Sequence, residues 1–301
     1  MNRILISLSM LLYCLAYAGT PETGNCMDGD RQARIVFVSF RDNNHEIYSM
    51  NEDGSDQTRL TSTSASEWDP CFSPDQKLIA YAINYVNDGK NSEIYIMNSD
   101  GSGVRKLTDL TTGVSSPRFT PDGKKLIFSE DMDGKTNIFA LPLEGGKLEK
   151  ITDIESELAQ PSFSRDGKKV IFQYRGFAGE NDLYIGTVIS DGSGLLKIRD
   201  RSSYPCFSPD GSRIACFDFS KGPDQTGFIL MDSTGKNESM MFKTSNPGGI
   251  CFSRDGSRLI FSNADYVQHL HGTGEIYSIK LDGTDLKKLT CISDNLLPNA
   301  Y

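Results

Sequence analysis

The sequence predicts an all-β fold, a six-bladed β-propeller whose blades are four-stranded antiparallel sheets. Three recurring signals predict it, and internal repeats at such periods mark stacked supersecondary units. The first is a turn motif: FSPDQ from Phe72, FTPDG from Phe119, FSRDG from Phe163, FSPDG from Phe207 and FSRDG from Phe252, at spacings of 47, 44, 44 and 45 residues. The second is EIYSM from Glu46, EIYIM from Glu93, NIFAL from Asn137, DLYIG from Asp182, GFILM from Gly227 and EIYSI from Glu275. The third is an Asp-Gly turn five to eight residues further on, at Asp53-Gly54, Asp100-Gly101, Asp191-Gly192 and Asp282-Gly283. Glu144-Gly145 and Thr234-Gly235 are looser copies.

Each copy reads as strands A to D. Strand A ends at the Phe, and Pro-Asp-Gly then turns the chain, with Pro fixing φ and Gly taking the left-handed position. Strand B is a nearly continuous apolar run: LIAYAI from Leu78, LIF from Leu126, VIF from Val170, IACF from Ile214 and LIF from Leu259. Such runs imply burial on both faces. Strand C is the EIY segment. Strand D is the short segment after the Asp-Gly turn, RLT from Arg59, KLT from Lys106, KIT from Lys150 and KLT from Lys288. No helical period interrupts the pattern, which excludes helical crossovers. A lone four-stranded sheet cannot cover its own faces, whereas radial stacking does.

Strands B, C and D occur six times, but the Phe-x-x-Asp strand A only five times. The missing copy is expected from Leu297-Pro298-Asn299-Ala300-Tyr301, which resembles Asp69-Pro70-Cys71-Phe72 and would close the first blade beside the strand Ile35 to Phe40. Cys26 and Cys291 flank that latch and are candidates for a disulfide.

Residues 1–18 read as a signal peptide. Arg3 precedes an apolar run from Ile4 to Leu15, and Ala16-Tyr17-Ala18 supplies small residues at the cleavage positions. The run is shorter than the roughly 20 residues a bilayer span needs. Tyr13 before Cys14 argues against a lipoprotein. Residues 19–33 form an extension and 34–301 the propeller. The expected location is periplasmic or secreted, without stable membrane insertion, and a monomer is expected.

The chain carries 40 acidic against 31 basic residues, a net charge of −9. This disfavours nucleic acid and anionic lipid and suits cations or basic protein surfaces. No Cys-x-x-Cys pair occurs, so zinc ribbons and thioredoxin-like sites lack support. Cys71, Cys206 and Cys251 each precede the motif Phe, where small buried residues are expected.

These turn, EIY, Asp-Gly and Leu-Thr motifs together resemble the propeller repeat of the TolB family of Tol-Pal translocation proteins, from about Arg34 to Tyr301. The same blade type occurs in propellers of prolyl-oligopeptidase-like peptidases and oligogalacturonate lyases. The resemblance implies a periplasmic propeller that docks a protein partner, with a Pal-like envelope lipoprotein as a candidate. TolB proteins carry an α/β domain before the propeller. Here only about fifteen residues separate the expected cleavage site from the first strand, so that domain's role is not carried over.

The turn aspartates Asp75, Asp122, Asp166, Asp210 and Asp255 are expected to cap their own backbones. A–B and C–D turns should share one face, short and uniform. B–C and D–A loops share the other, and their variation makes that face the expected docking surface. Candidate contacts there are Trp68, Asp69, Glu130, Asp131, Asp133, Tyr204 and Tyr266. The acidic members, with Glu67, Asp153 and Glu155, could hold a divalent cation such as Ca²⁺. No other cofactor is expected. His45, His269 and His271 all fall in B–C loops of blades that ring closure makes neighbours, a candidate transition-metal cluster. No nucleophile elbow, hydrolase domain or phosphate loop is present. The sequence therefore favours an exported protein-binding scaffold of the cell envelope over an enzyme. The alternative is a metal-dependent, polysaccharide-lyase-like enzyme that uses the loop histidines.

Overall fold

The computed structural model describes residues 33–42, 44–84, 92–132, 135–154, 156–176, 182–245, 247–263 and 274–291. Six antiparallel sheets follow one another in sequence. Blade 1 holds β1 (Arg34–Ser39), β2 (Glu46–Asn51) and β3 (Thr58–Arg59). Blade 2 holds β4 (Ser66–Phe72), β5 (Leu78–Asn84), β6 (Glu93–Asn98) and β7 (Arg105–Lys106). Blade 3 holds β8 (Gly113–Phe119), β9 (Lys125–Met132), β10 (Lys135–Pro142) and β11 (Glu149–Lys150). Blade 4 holds β12 (Leu158–Phe163), β13 (Lys169–Arg175), β14 (Leu183–Ile189) and β15 (Leu196–Asp200). Blade 5 holds β16 (Ser202–Phe207), β17 (Arg213–Asp218), β18 (Gly227–Asp232) and β19 (Ser239–Lys243). Blade 6 holds β20 (Pro247–Phe252), β21 (Arg258–Asn263), β22 (Glu275–Lys280) and β23 (Lys287–Lys288). Among the described residues one 3₁₀ turn occurs, Pro223–Gln225, between β17 and β18.

The apolar B strands are explained by the packing. Successive side chains on a strand point to opposite faces, and here each face meets a different blade. Ile79 packs with Val36 and Val38 of blade 1, while its neighbour Ala80 packs with Val114 and Phe128 of blade 3. Ile127 joins Val170 and Phe172, and Ile171 joins Phe207 and Ile214. Phe217 and Phe228 meet Phe252 and Phe261. The last interface joins Cys251, Ile260, Ile276 and Leu289 of blade 6 to Ile35, Phe37 and Met50 of blade 1. The ring therefore closes by packing. The expected closing strand, 297–301, and Cys26 of the candidate disulfide lie outside the described residues, as does the signal peptide.

The turns are held by one repeated device. Asp166 Oδ1 accepts from the Ser164 hydroxyl and the Lys168 amide, and Asp75, Asp122, Asp210 and Asp255 do the same in their blades. These bonds hold the Asp166 carboxyl below its ordinary range. The aspartates are thus caps, as expected. In blade 5, Asp232 caps the C–D turn ahead of Thr234-Gly235.

Between blades, the C–D turns press onto the preceding blade's D segment. A Cβ on Gly192 (φ +87°) would lie 1.7 Å from the Ile151 carbonyl oxygen, and one on Gly54 (φ +90°) 2.4 Å from that of Leu289. At Gly145 (φ +83°) the space is open. Gly145→Ala should therefore cost only left-handed strain, about 1–2 kcal/mol. Gly192→Ala should cost about 1–3 kcal/mol more, because the blade 3–blade 4 contact must open. Chemical denaturation of both variants checks this, and equal losses would remove the close approach as the reason for glycine.

Candidate docking face

Hydrogen bonds between turns establish the two faces. Ser99 N donates to Lys77 O, Leu143 N to Lys124 O, Ser190 N to Lys168 O and Ser233 N to Ser212 O, each tying a C–D turn to the A–B turn of its own blade. At the other end, Thr244 N donates to Thr226 O, joining a D–A with a B–C segment, while Glu67 N at the start of β4 donates to the B–C residue His45 and Thr136 N at the start of β10 to the D–A residue Ser156. The strand bounds leave every A–B turn five residues long and every C–D turn six. The B–C connections span 40–45, 85–92, 133–134, 176–182, 219–226 and 264–274. One end is thus a repeated, self-capped surface, and the other varies from blade to blade.

The described candidate contact residues lie on three blades, Trp68 and Asp69 on β4, Glu130 and Asp131 on β9, and Tyr204 on β16. Trp68 lies half-buried on β4, its ring 3.9 Å from that of His45, which in turn lies 4.8 Å from Phe40. The Trp68 indole nitrogen is buried without a hydrogen-bond partner. Asp69 and Tyr204 sit at bulges in their A strands with φ of 55°. Asp69 Oδ2 accepts from the Ser116 amide at 2.9 Å and its hydroxyl at 3.3 Å, and the Tyr204 amide donates to Gln160 Oε1 at 3.1 Å. Both therefore tie the innermost strands of adjacent blades. Glu130 is buried at the end of β9 and accepts from the Thr112 hydroxyl, while Asp131 is exposed beside it. Asp153 pairs with Lys150. Asp133, Glu155, Tyr266, His269 and His271 lie outside the described residues. Among the described residues, no three His, Cys, Asp or Glu side chains are placed to hold a metal ion.

The sequence reading named Glu67 among the acidic residues of this face but missed the partner the structure gives it. Glu46 on β2 and Glu67 on β4 are both fully buried, and their carboxyl groups meet between blades 1 and 2. Arg59 Nη2 lies 2.8 Å from Glu46 Oε1, and Asn44 Nδ2 donates to the same oxygen at 3.2 Å. Glu46 Oε2 has no donor. Thr61 and Thr63 donate their hydroxyls to Glu67. Arg59 also pairs with Asp42 at 3.2 Å. A single guanidinium cannot balance this many carboxylates, so a proton held on Glu67 lowers the charge of the cluster. Burial, reinforced by the neighbouring Glu46 charge, pushes Glu67 up to about 7 from its ordinary 4.5. A signal was present in the sequence. Five residues before the motif Phe, where Glu67 stands, the other copies have Val114, Leu158, Ser202 and Pro247.

A carboxyl group that ionises more readily in the unfolded chain stabilises the fold most below its unfolded value of 4.5, and this contribution fades as pH rises through about 7. Glu67→Gln keeps a hydrogen-bonding side chain but removes the titration. Its unfolding free energy should therefore fall less than the wild type's between about pH 5 and about pH 8. Parallel pH profiles would show that Glu67 does not titrate in this range.

The TolB β-propeller domain family model matches residues 32–185. Among curated proteins, none matches this sequence. Among solved structures, TolB from Acinetobacter baumannii superposes with a TM-score of 0.70 at 21% identity, covering 85% of this chain and 63% of that one. The chain thus spans less than two thirds of that relative's length. A TolB-type protein from Agrobacterium tumefaciens gives 0.64 at 20% identity, covering 78% and 84%. Oligogalacturonate lyase from Vibrio parahaemolyticus gives 0.57 at 17% identity, covering 85% and 74%. At these identities the solved structures speak for the six-bladed fold, and the family match carries the assignment. With more than half of its residues matched, this chain belongs to the TolB β-propeller domain family.

Proposed function

We propose that this propeller is an exported docking scaffold of the cell envelope that receives a protein partner on its B–C/D–A face. The observation that carries the reading is the contrast between the two ends of the ring. Turns of constant length, closed on themselves by Asp caps, form one end; loops from two to eleven residues long form the other. A rigid scaffold with one variable face is how binding loops are usually presented. Family membership supports a protein partner, and a Pal-like envelope lipoprotein is the partner class the reading favours. The acidic surplus suits a partner with a basic contact surface. No helix among the described residues is long and apolar enough to cross a membrane.

The competing enzyme reading uses His45 with His269 and His271, and nothing about His45 favours it, because its ring is held in the stack with Phe40 and Trp68. Stoichiometric transition metal retained on purified protein would favour the enzyme.

The test is crosslinking in intact envelopes followed by mass spectrometry. The expected product starts after Ala18 and crosslinks to a protein partner. Asp131→Lys combined with Glu157→Lys on the loop face should weaken recovery of that partner at least several-fold. Lys77→Glu combined with Lys168→Glu on the turn face should leave it unchanged. Equal loss from both pairs, or no protein partner at all, would overturn the reading.

A further inference from the structure

The A–B turns of neighbouring blades pack on one another through a proline. A Cβ built on Gly123 of blade 3 would lie 3.6 Å from the Pro74 ring of blade 2, one on Gly167 3.6 Å from Pro121, and one on Gly256 3.4 Å from Pro209. Each proline thus fills the space beside the next blade's turn. In blade 4 the motif reads FSRDG, and Arg165 stands where those three copies have proline. The nearest atom to a Cβ on Gly211 is there the Arg165 Cβ at 3.9 Å, and the guanidinium reaches on to blade 5, donating from Nη1 to Pro209 O at 3.2 Å. A cavity of about 390 Å³ opens at this junction of blades 4 and 5. The other arginine copy, Arg254, faces blade 1, which has no A–B turn among the described residues.

The chemistry of the lining selects the ligand. Its cations are Arg165 and Lys169, and its carboxylates are Asp166 and Asp210. Both carboxylates stay ionised. The Ser164 hydroxyl and Lys168 amide hold Asp166 below the usual range, and the Ser208 hydroxyl and Ser212 amide do the same for Asp210. The cavity is therefore neutral overall, and an ion of either sign would meet two like charges.

Carboxylates only accept hydrogen bonds, whereas ammonium and guanidinium groups only donate. A hydroxyl does both, so adjacent hydroxyls of one ligand satisfy the two kinds of group together. Capacity for such bonds remains in the lining. The cap on Asp166 uses Oδ1 and leaves Oδ2 with the Lys168 ammonium 3.9 Å away. Among the described residues, neither the Lys169 ammonium nor the Ser233 hydroxyl has a partner. Phe207, 8% exposed, adds aromatic surface. The volume falls within the roughly 300–1,000 Å³ of small-ligand pockets.

From this geometry we propose that the turn-face junction of blades 4 and 5 is a binding site for a neutral mono- or disaccharide. The sugar hydroxyls donate to Asp166 and Asp210 and accept from Lys169 and Ser233, while a C–H face of the ring meets Phe207. The site lies away from the variable loops, so it stands apart from the docking reading.

Saturation-transfer NMR on the full chain tests this, with glucose, galactose, mannose, N-acetylglucosamine, maltose and cellobiose as probes. At a Kd of about 1 mM, a probe at about 10 mM fills most of the sites. At least one of these sugars should receive saturation. Arg165→Pro places in this junction the ring that closes the other three. It should abolish the signal and leave Tm within about 2 °C of the wild type. Lys169→Met, which leaves the turn backbone alone, should weaken binding at least about fivefold. Absence of transfer to every neutral sugar would overturn the proposal, whether or not galacturonate or glycine binds. So would transfer that persists undiminished in both variants, because that places the sugar elsewhere on the molecule.

Discussion

Everything in this molecule depends on the second strand of each blade being buried from both sides. Ile79 and Ala80, adjacent on one strand, serve two different interfaces, and the same division recurs at Ile127 and Phe128. No blade owns a core of its own; every core belongs to a pair. At roughly 25 cal/mol per Å² of apolar surface removed from water, this shared burial is what draws six sheets into a ring. It also makes the ring cooperative, since loosening one blade exposes a face on each neighbour.

Given that arrangement, polar groups serve different ends on the two faces. On the turn face they act locally, where Asp caps a hairpin, Ser or Thr donates to that Asp, and glycine lets one turn rest on the preceding blade. On the opposite face the C-strand Glu is neutralised across the sheet, Glu46 by Arg59, Glu93 by Lys106 and Glu275 by Lys288. Between blades 1 and 2 a second buried carboxyl, Glu67, upsets the balance. That junction also carries the Phe40–His45–Trp68 stack, so the most unusual electrostatics and the only tryptophan sit together on the face read as the docking surface.

Blade number, strand roles, turn caps and the division of faces were all legible in the sequence. Each is written several times, and the copies agree. The site was far less legible because it depends on departures from the repeat. Asp69 and Tyr204 read as rim residues by their position after a D–A loop, yet the bulge in each A strand turns them toward the neighbouring blade. Glu46 reads as one more scaffold Glu, and nothing local shows that Glu67 is folded against it from another sheet. Cys71, Cys206 and Cys251 were legible as buried small residues because the Phe beside them marks the position.

The outermost strands carry a consequence for solubility. In blades 1, 2, 3 and 6 they are two residues long and each carries a basic residue, Thr58–Arg59, Arg105–Lys106, Glu149–Lys150 and Lys287–Lys288, so the perimeter there offers few unpaired backbone groups to another chain. Blades 4 and 5 are different. β15 and β19 run five residues each, with Leu196 58% and Met240 37% exposed on them. Lys197 and Arg199 on the one and Lys243 on the other are charges of the kind that keep open edges from adding strands. Self-association into fibrils, if this protein is ever driven to it, would begin on that sector of the circumference.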